Sequence, residues 1–286
     1  MKYRAWNAIV ALQSGINLSG LTRSNIDLTV TNCTFDAFGY GAVMRGVKEG
    51  KCTIGSKNNG NIFSNCLESV WLYDVINIPV EVVDNRFNVS IGCYGLDFEN
   101  SPFKYYVVET QMKCPVINVE RNEFNISGPT GIRIMEGRRA KFPEENKPVM
   151  IQVKNNRFNL TDGSREGINL FNLKGAVIRN NRFNGSSIQG VWIRTRPTDG
   201  SVYNENGLLL GNNFSNTVFS TGTVFLDIYS RNWTIVGGNL GERVTDLGDN
   251  NIISGFNINE SVEPFGQTIV DNLEEMRDAL QDADHN

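Results

Sequence analysis

Histidine is almost missing from this chain. The one copy, His285, sits in the C-terminal tail, which excludes histidine acid–base chemistry from the body of the protein. Cysteine is sparse: five residues, at 33, 52, 66, 93 and 114, without a single CxxC pair, so a zinc site has no support. The odd count allows at most two bridges with one thiol over, and buried free thiols fit equally well. No apolar run approaches the roughly 20 residues of a membrane span. Lys2 and Arg4 precede only a short apolar run at 8–12, which makes a poor signal peptide. A basic surplus is lacking too. The net charge of -4 and pI near 5.3 argue against a general nucleic-acid binder.

What the chain does have is a phrase repeated along most of its length. Asn-x-Phe closes one short strand and Gly-aliphatic-x-aliphatic opens the next, as in Asn122-Glu123-Phe124 with Gly131-Ile132-Arg133-Ile134. The aromatic recurs at Phe35, Phe63, Phe87, Phe124, Phe158, Phe183 and Phe214, with Leu240 as a weaker eighth copy. The intervals are 28, 24, 37, 34, 25, 31 and 26 residues, the size of one coil of a solenoid. Short Val/Ile/Leu runs at 117–119, 151–153, 176–178 and 208–210 end in polar turns, and no segment within the repeats keeps a helical period. Strands that repeat without helical crossovers stack into a parallel β-helix.

The chain is therefore read as all-β: a single-stranded right-handed parallel β-helix over 1–258, with a linker and short C-terminal helix over 259–286. Ile269, Leu273, Met276 and Leu280 share that helix's apolar face. Gly15-Ile16-Asn17-Leu18 already fits the strand-opening phrase, so the first coil reads as uncapped and open to self-association or an upstream domain. Asn two residues before the aromatic is expected to take the left-handed corner conformation and to pair its amide along the axis. The aromatics are expected to point inward and stack.

The repeat grammar resembles the right-handed parallel β-helix repeat proteins of the pectate-lyase-like superfamily, over roughly residues 15–258. That resemblance implies extracellular work on polysaccharides, by lyases, hydrolases, epimerases, phage tailspikes or surface adhesins. The hydrolase motifs Asn-Thr-Asp, Asp-Asp and Gly-His-Gly are missing, as is the epimerase motif Asp-Pro-His-Glu.

Equivalent residues on successive coils stack about 4.8 Å apart, so the repeat aligns the chain to itself. Reading outward positions after each glycine gives a first column of Asn17, Val43, Trp71, Asp97, Arg133, Asn169, Trp192 and Phe225. The second holds Arg45, Tyr73, Glu99, Met135, Phe171, Arg194 and Asp227. Three long interruptions, at 101–112, 137–148 and 195–206, follow this strand, and insertions on one face of a solenoid build the walls of a binding side. Trp71, Tyr73, Phe171, Trp192, Arg194 and Asp227 are accordingly candidates for binding a glycan, through ring stacking and charged hydrogen bonds. Asp97, Glu99 and Arg133 are candidates for lyase chemistry, the acids holding calcium or the arginine and Arg133 abstracting a proton. No metal ligand set or other cofactor is indicated; calcium enters only with the lyase reading. The partners expected are a polysaccharide or glycan, or a second copy.

Nine Asn-x-Ser/Thr sequons, at Asn17, Asn32, Asn88, Asn125, Asn159, Asn184, Asn213, Asn232 and Asn259, point to a glycosylated extracellular or cell-surface protein. With 37 Asn, chance alone supplies about 4 such sites. Four of the nine directly follow the repeat Phe, where turn chemistry can place them. The first expectation is thus a non-catalytic surface or assembly protein that binds glycans or neighbouring copies. The second is a polysaccharide lyase acting on a uronate polymer.

Overall fold

A computed structural model describes residues 14–19, 25–36, 39–45, 49–73, 78–90, 94–100, 116–136, 150–161, 163–171, 173, 175–194, 204–237 and 244–254. The C-terminal helix expected above, Leu240, Asn259, Cys93, Cys114 and nearly all of the three long interruptions lie outside them. Within them the chain is all-β, with strands numbered β1 to β25 in chain order, and every strand ladder is parallel. This is the parallel β-helix that the repeat predicts. No helix among the described residues is long and apolar enough to cross a membrane.

One coil is followed through β11 (Val116–Glu120), β12 (Glu123–Ile126) and β13 (Thr130–Glu136), and the next through β14 (Met150–Lys154), β15 (Arg157–Leu160) and β16 (Glu166–Phe171). The coils lie in register: Ile117 opposite Ile151, Phe124 opposite Phe158, Ile132 opposite Ile168. Three walls result. The first is a nine-stranded sheet containing β11 and β14. The second contains β12 and β15, the third β13 and β16. These last two join into one sheet because β18 (Arg182–Arg194) and β21 (Asn213–Leu226) run unbroken round the corner between them. A register shift between Ser187 and Gln189 marks the bend.

Alternation sets the core. Ile117 and Val119, Ile151 and Val153, and Ala176 and Ile178 are buried, while Asn118, Gln152 and Val177 between them are half-buried on the outside. Inside the second wall, Phe35, Phe63, Phe87, Phe124, Phe158, Phe183 and Phe214 form one continuous stack. Its centroid spacings run from 4.3 to 5.0 Å and its interplanar angles from 4 to 13°. Each such contact adds about 0.5–1.5 kcal/mol to the burial of the rings.

The stack explains the glycine of the repeat phrase. Gly131, Gly167 and Gly190 are not among the residues with positive φ, so left-handed geometry does not require them. Space does. A Cβ on Gly167 would lie 2.7 Å from the Phe183 ring, and one on Gly190 would lie 2.7 Å from the Phe214 ring. The ring of the next coil occupies the place of the missing side chain.

The corner between the first and second walls corrects one expectation. The left-handed residue is not the ladder asparagine but the residue before it: Asp84, Arg121, Asn155 and Asn180, with φ of 53 to 58°, and Gly211, with φ of 61°; Asn32, with φ of 54°, holds the same place before Cys33. The ladder asparagines have a different task. Asn61, Asn85, Asn122, Asn156, Asn181 and Asn212 are each at most 2% exposed. Asn122 Nδ2 donates to Asn156 Oδ1 at 3.0 Å and to the Val82 carbonyl at 2.8 Å, while the Asn122 backbone N–H donates to the same Oδ1 at 2.9 Å. The motif recurs from Asn61 to Asn181. Each buried amide is thus satisfied by the neighbouring coil, as a buried polar group requires.

Candidate functional site

The outward columns expected on the third wall exist as contiguous ladders. Asn17 lies opposite Val43, Val43 opposite Trp71, Trp71 opposite Asp97, Asp97 opposite Arg133, Arg133 opposite Asn169, Asn169 opposite Trp192, and Trp192 opposite Phe225. The second column runs Arg45, Tyr73, Glu99, Met135, Phe171 and Arg194 in the same way. Asp227 follows directly on the end of β21. The side chains of Asn17, Arg45, Tyr73, Asp97 and Glu99 lie outside the description, and only their backbone register is given. The inward partners Ile132, Ile134, Val191 and Ile193 are fully buried.

Register alone does not make a residue accessible. Phe171, expected on the exposed strip, is 7% exposed, and Asn169 beside it 1%. The reason is Arg194. Its guanidinium lies 4.0 Å from the centroid of the Phe171 ring and 3.6 Å from that of the Trp192 ring, and its Nε donates to Asn169 Oδ1 at 3.2 Å. A cation between two aromatic faces is well held. Phe171 therefore supports Arg194 and does not offer a ring of its own. Trp192 is half-buried and meets Phe225 edge-on at 6.2 Å and 81°. Its Nε1 is buried without a hydrogen-bond partner among the described residues. Trp71 is half-buried and stacked on Tyr40 at 5.0 Å and 17°. Arg133 is half-buried. Asp227 turns its carboxylate into its own loop, accepting the Tyr229 N–H at 3.0 Å and the Ser230 hydroxyl at 3.1 Å.

The strip that faces outward is thus narrower than the sequence suggests. Trp71, Trp192 and Phe225 give it half-buried aromatic surface, and Arg133 and Arg194 give it positive charge. The chain enters its three long interruptions from the C-terminal ends of β10 (Tyr94–Asn100), β13 and β18, all in this wall. Among the described residues no cluster of three metal-ligating side chains occurs.

The seven sequons whose side chains are described fall into two groups. Asn32, Asn213 and Asn232 are exposed. Asn88, Asn125, Asn159 and Asn184 form an outer ladder on the second wall: Asn125 Nδ2 donates to Asn88 Oδ1 at 2.9 Å, Asn159 to Asn125 at 2.7 Å, and Asn184 to Asn159 at 3.2 Å. These Asn have a structural role in each of the four coils they span, which accounts for their recurrence after Phe. Of the cysteines, Cys33 is exposed and free, Cys52 is buried and free, and Cys66 is buried with its thiol directed at the Ser64 carbonyl at 3.4 Å. Burial pushes the Cys52 thiol up to about 12, so it stays protonated and inert.

Comparison with family models, with curated proteins and with solved structures finds no match to this chain.

Proposed function

We propose that this chain is a non-catalytic extracellular β-helix that binds an extended glycan along the outer face of its third wall. Kinship with the pectate-lyase-like superfamily is part of the same proposal. The observation that carries it is the single in-register column joining Trp71, Arg133, Trp192 and Phe225, flanked by Arg194. A column that advances one rung per coil, with aromatic or guanidinium groups on four of its rungs, suits a polymer lying along the same axis. Three insertions leaving the same wall support a walled groove.

A lyase is the second reading. It is favoured by one pairing: Asp97 lies directly opposite Arg133, with Glu99 two residues along. Arginine is a poor base because it deprotonates with difficulty, and an Asp–Arg pair on adjacent rungs is more often structural.

The test screens the intact chain against a glycan array and uronate polymers, with and without calcium, beside Trp71→Ala, Trp192→Ala and Arg133→Ala. Glycan binding that drops about tenfold or more in the Trp variants is the expected result. A calcium-dependent rise in ultraviolet absorbance with a uronate polymer, lost in Arg133→Ala, would move the assignment to a lyase. Ordered self-assembly without glycan binding would assign the wall to neighbouring copies.

A further inference from the structure

The corner between the first and second walls carries a separate set of charges. Its sequence sign is a six-residue phrase around each ladder asparagine: Glu120-Arg121-Asn122-Glu123-Phe124-Asn125, then Lys154-Asn155-Asn156-Arg157-Phe158-Asn159, then Arg179-Asn180-Asn181-Arg182-Phe183-Asn184. The ladders stack the first residue of each phrase into a column of Glu120, Lys154 and Arg179, and the fourth into a column of Arg86, Glu123, Arg157, Arg182 and Asn213. Acid and base alternate only as far as the coil of Arg157. Glu123 pairs with Arg86 at 2.9 Å, and Glu120 with Arg121 at 2.6 Å and with Lys154 at 3.5 Å. Beyond them the carboxylates run out. Arg157 and Arg182 are exposed, Arg179 is half-buried, and none of the three has an ion pair among the described residues.

Arg157 and Arg182 are direct neighbours on successive rungs, where like charges oppose strand pairing. Both are also aimed. Arg157 Nε donates to Asn159 Oδ1 at 3.1 Å and Arg182 Nε to Asn184 Oδ1 at 3.3 Å, which leaves the Nη groups of each without a protein acceptor among the described residues. An anion between the two guanidinium groups would relieve the repulsion and fill those donors. A planar carboxylate is satisfied by one guanidinium; a tetrahedral ester, with three peripheral oxygens, can be shared among several. The exposed amides of Asn213 and Asn216 continue the same wall and suit sugar hydroxyls. A continuous phosphate polymer needs a longer basic track than three arginines on a chain of net charge -4.

We propose that Arg157, Arg179 and Arg182 form a binding site for the sulfate or phosphate ester of an anionic glycan, independent of the strip on the third wall. The site requires that Asn159 and Asn184 stay unglycosylated. Their side chains aim the arginines, and each Nδ2 is already a rung of the outer ladder.

The experiment compares dextran, carboxymethyl-dextran, dextran sulfate and dextran phosphate of matched charge density, by calorimetry at low salt on the intact chain. Either ester polymer should bind at least about tenfold more tightly than carboxymethyl-dextran, and whichever binds better identifies the ester. Arg157→Gln with Arg182→Gln should weaken that binding by about tenfold or more, while Lys51→Gln with Lys57→Gln, exposed cations on another coil, should change it by about twofold at most. Trp192→Ala should leave it unchanged, so failure here is separate from failure of the third-wall reading. Circular dichroism verifies that each variant folds. Equal losses in the two double variants, equal binding of the carboxymethyl polymer, or glycan occupancy at Asn159 or Asn184 by mass spectrometry would each overturn the proposal.

Discussion

The second and third walls belong to the same coils and use their side chains in opposite ways. Along the second wall, position after position repeats: Phe inside from Phe35 to Phe214, and Asn outside from Asn88 to Asn184. Along the third wall the inward register is mostly aliphatic, with Met44 and Phe98 as exceptions, while the outer column reads Val43, Trp71, Asp97, Arg133, Asn169, Trp192 and Phe225. A repeated identity is explained by its contact with the next copy of itself. A column of unlike residues has no such explanation, and function is sought there.

Stability measurements can break or sharpen that contrast. The largest effect belongs to the ring stack. Phe124→Ala removes a fully buried ring between two others and should cost about 3–5 kcal/mol in chemical denaturation. Gly167→Ala, which drives a Cβ against the Phe183 ring, should cost about 1–3 kcal/mol by overpacking. Trp192→Ala should cost clearly less than Phe124→Ala, since its indole is half-buried. An equal loss would mean that the third wall is as structural as the second.

The two asparagine ladders offer a finer comparison. Asn122→Ala strips partners from the buried Asn85 and Asn156 amides and from the Val82 carbonyl, for about 2–3 kcal/mol. Asn125→Ala, in the half-buried outer ladder, should cost about 1 kcal/mol or less. Thermal melts of the two variants should separate clearly; coincident melts would show that the outer ladder is no surface ornament.

The smallest effect depends on pH. Burial pushes the Glu120 carboxyl up, yet Lys154, Arg121 and the Asn118 amide together hold it below its ordinary 4.5. A carboxyl depressed in the folded state contributes stability above its ordinary value, and that contribution is lost as pH falls through the folded value. In Glu120→Gln the loss between pH 5 and more acid conditions should therefore shrink, by about 0.5 kcal/mol or less for a corner open to solvent. A Gln variant with an unchanged acid profile would show that these pairs add nothing to folding.

Much of this was legible in the chain. Because a parallel ladder sets one copy of the repeat on the next, aligning the Phe and Gly phrases gave the register of both outward columns, although the spacing between copies varies from 24 to 37 residues. The left-handed residue was misplaced by one position, because Asn stands at both places in Asn155-Asn156 and Asn180-Asn181. Arg121 and Asp84 take that backbone in other coils, with the Arg121 guanidinium 2.8 Å from the Asp84 carboxylate. The arginine corner had a sequence sign too, in the phrases beginning at Lys154 and Arg179, but its surplus charge shows only once each carboxylate has been matched to a cation on another coil.

The sequence by itself determined the solenoid, its period, which residues line the core, and which outward residues share a column. These follow from short-range alternation and from the repeat, both properties of the chain alone. Tertiary structure decided which outward residues are reachable. Phe171 is covered by Arg194 from the next coil, Gly167 is required by a ring from the next coil, and Arg157 is left without an ion pair among the described residues because Glu123 pairs with Arg86. In each case the deciding atom comes from another coil, 16 or more residues away along the chain in these three examples, and its side-chain conformation is fixed only when the coils stack.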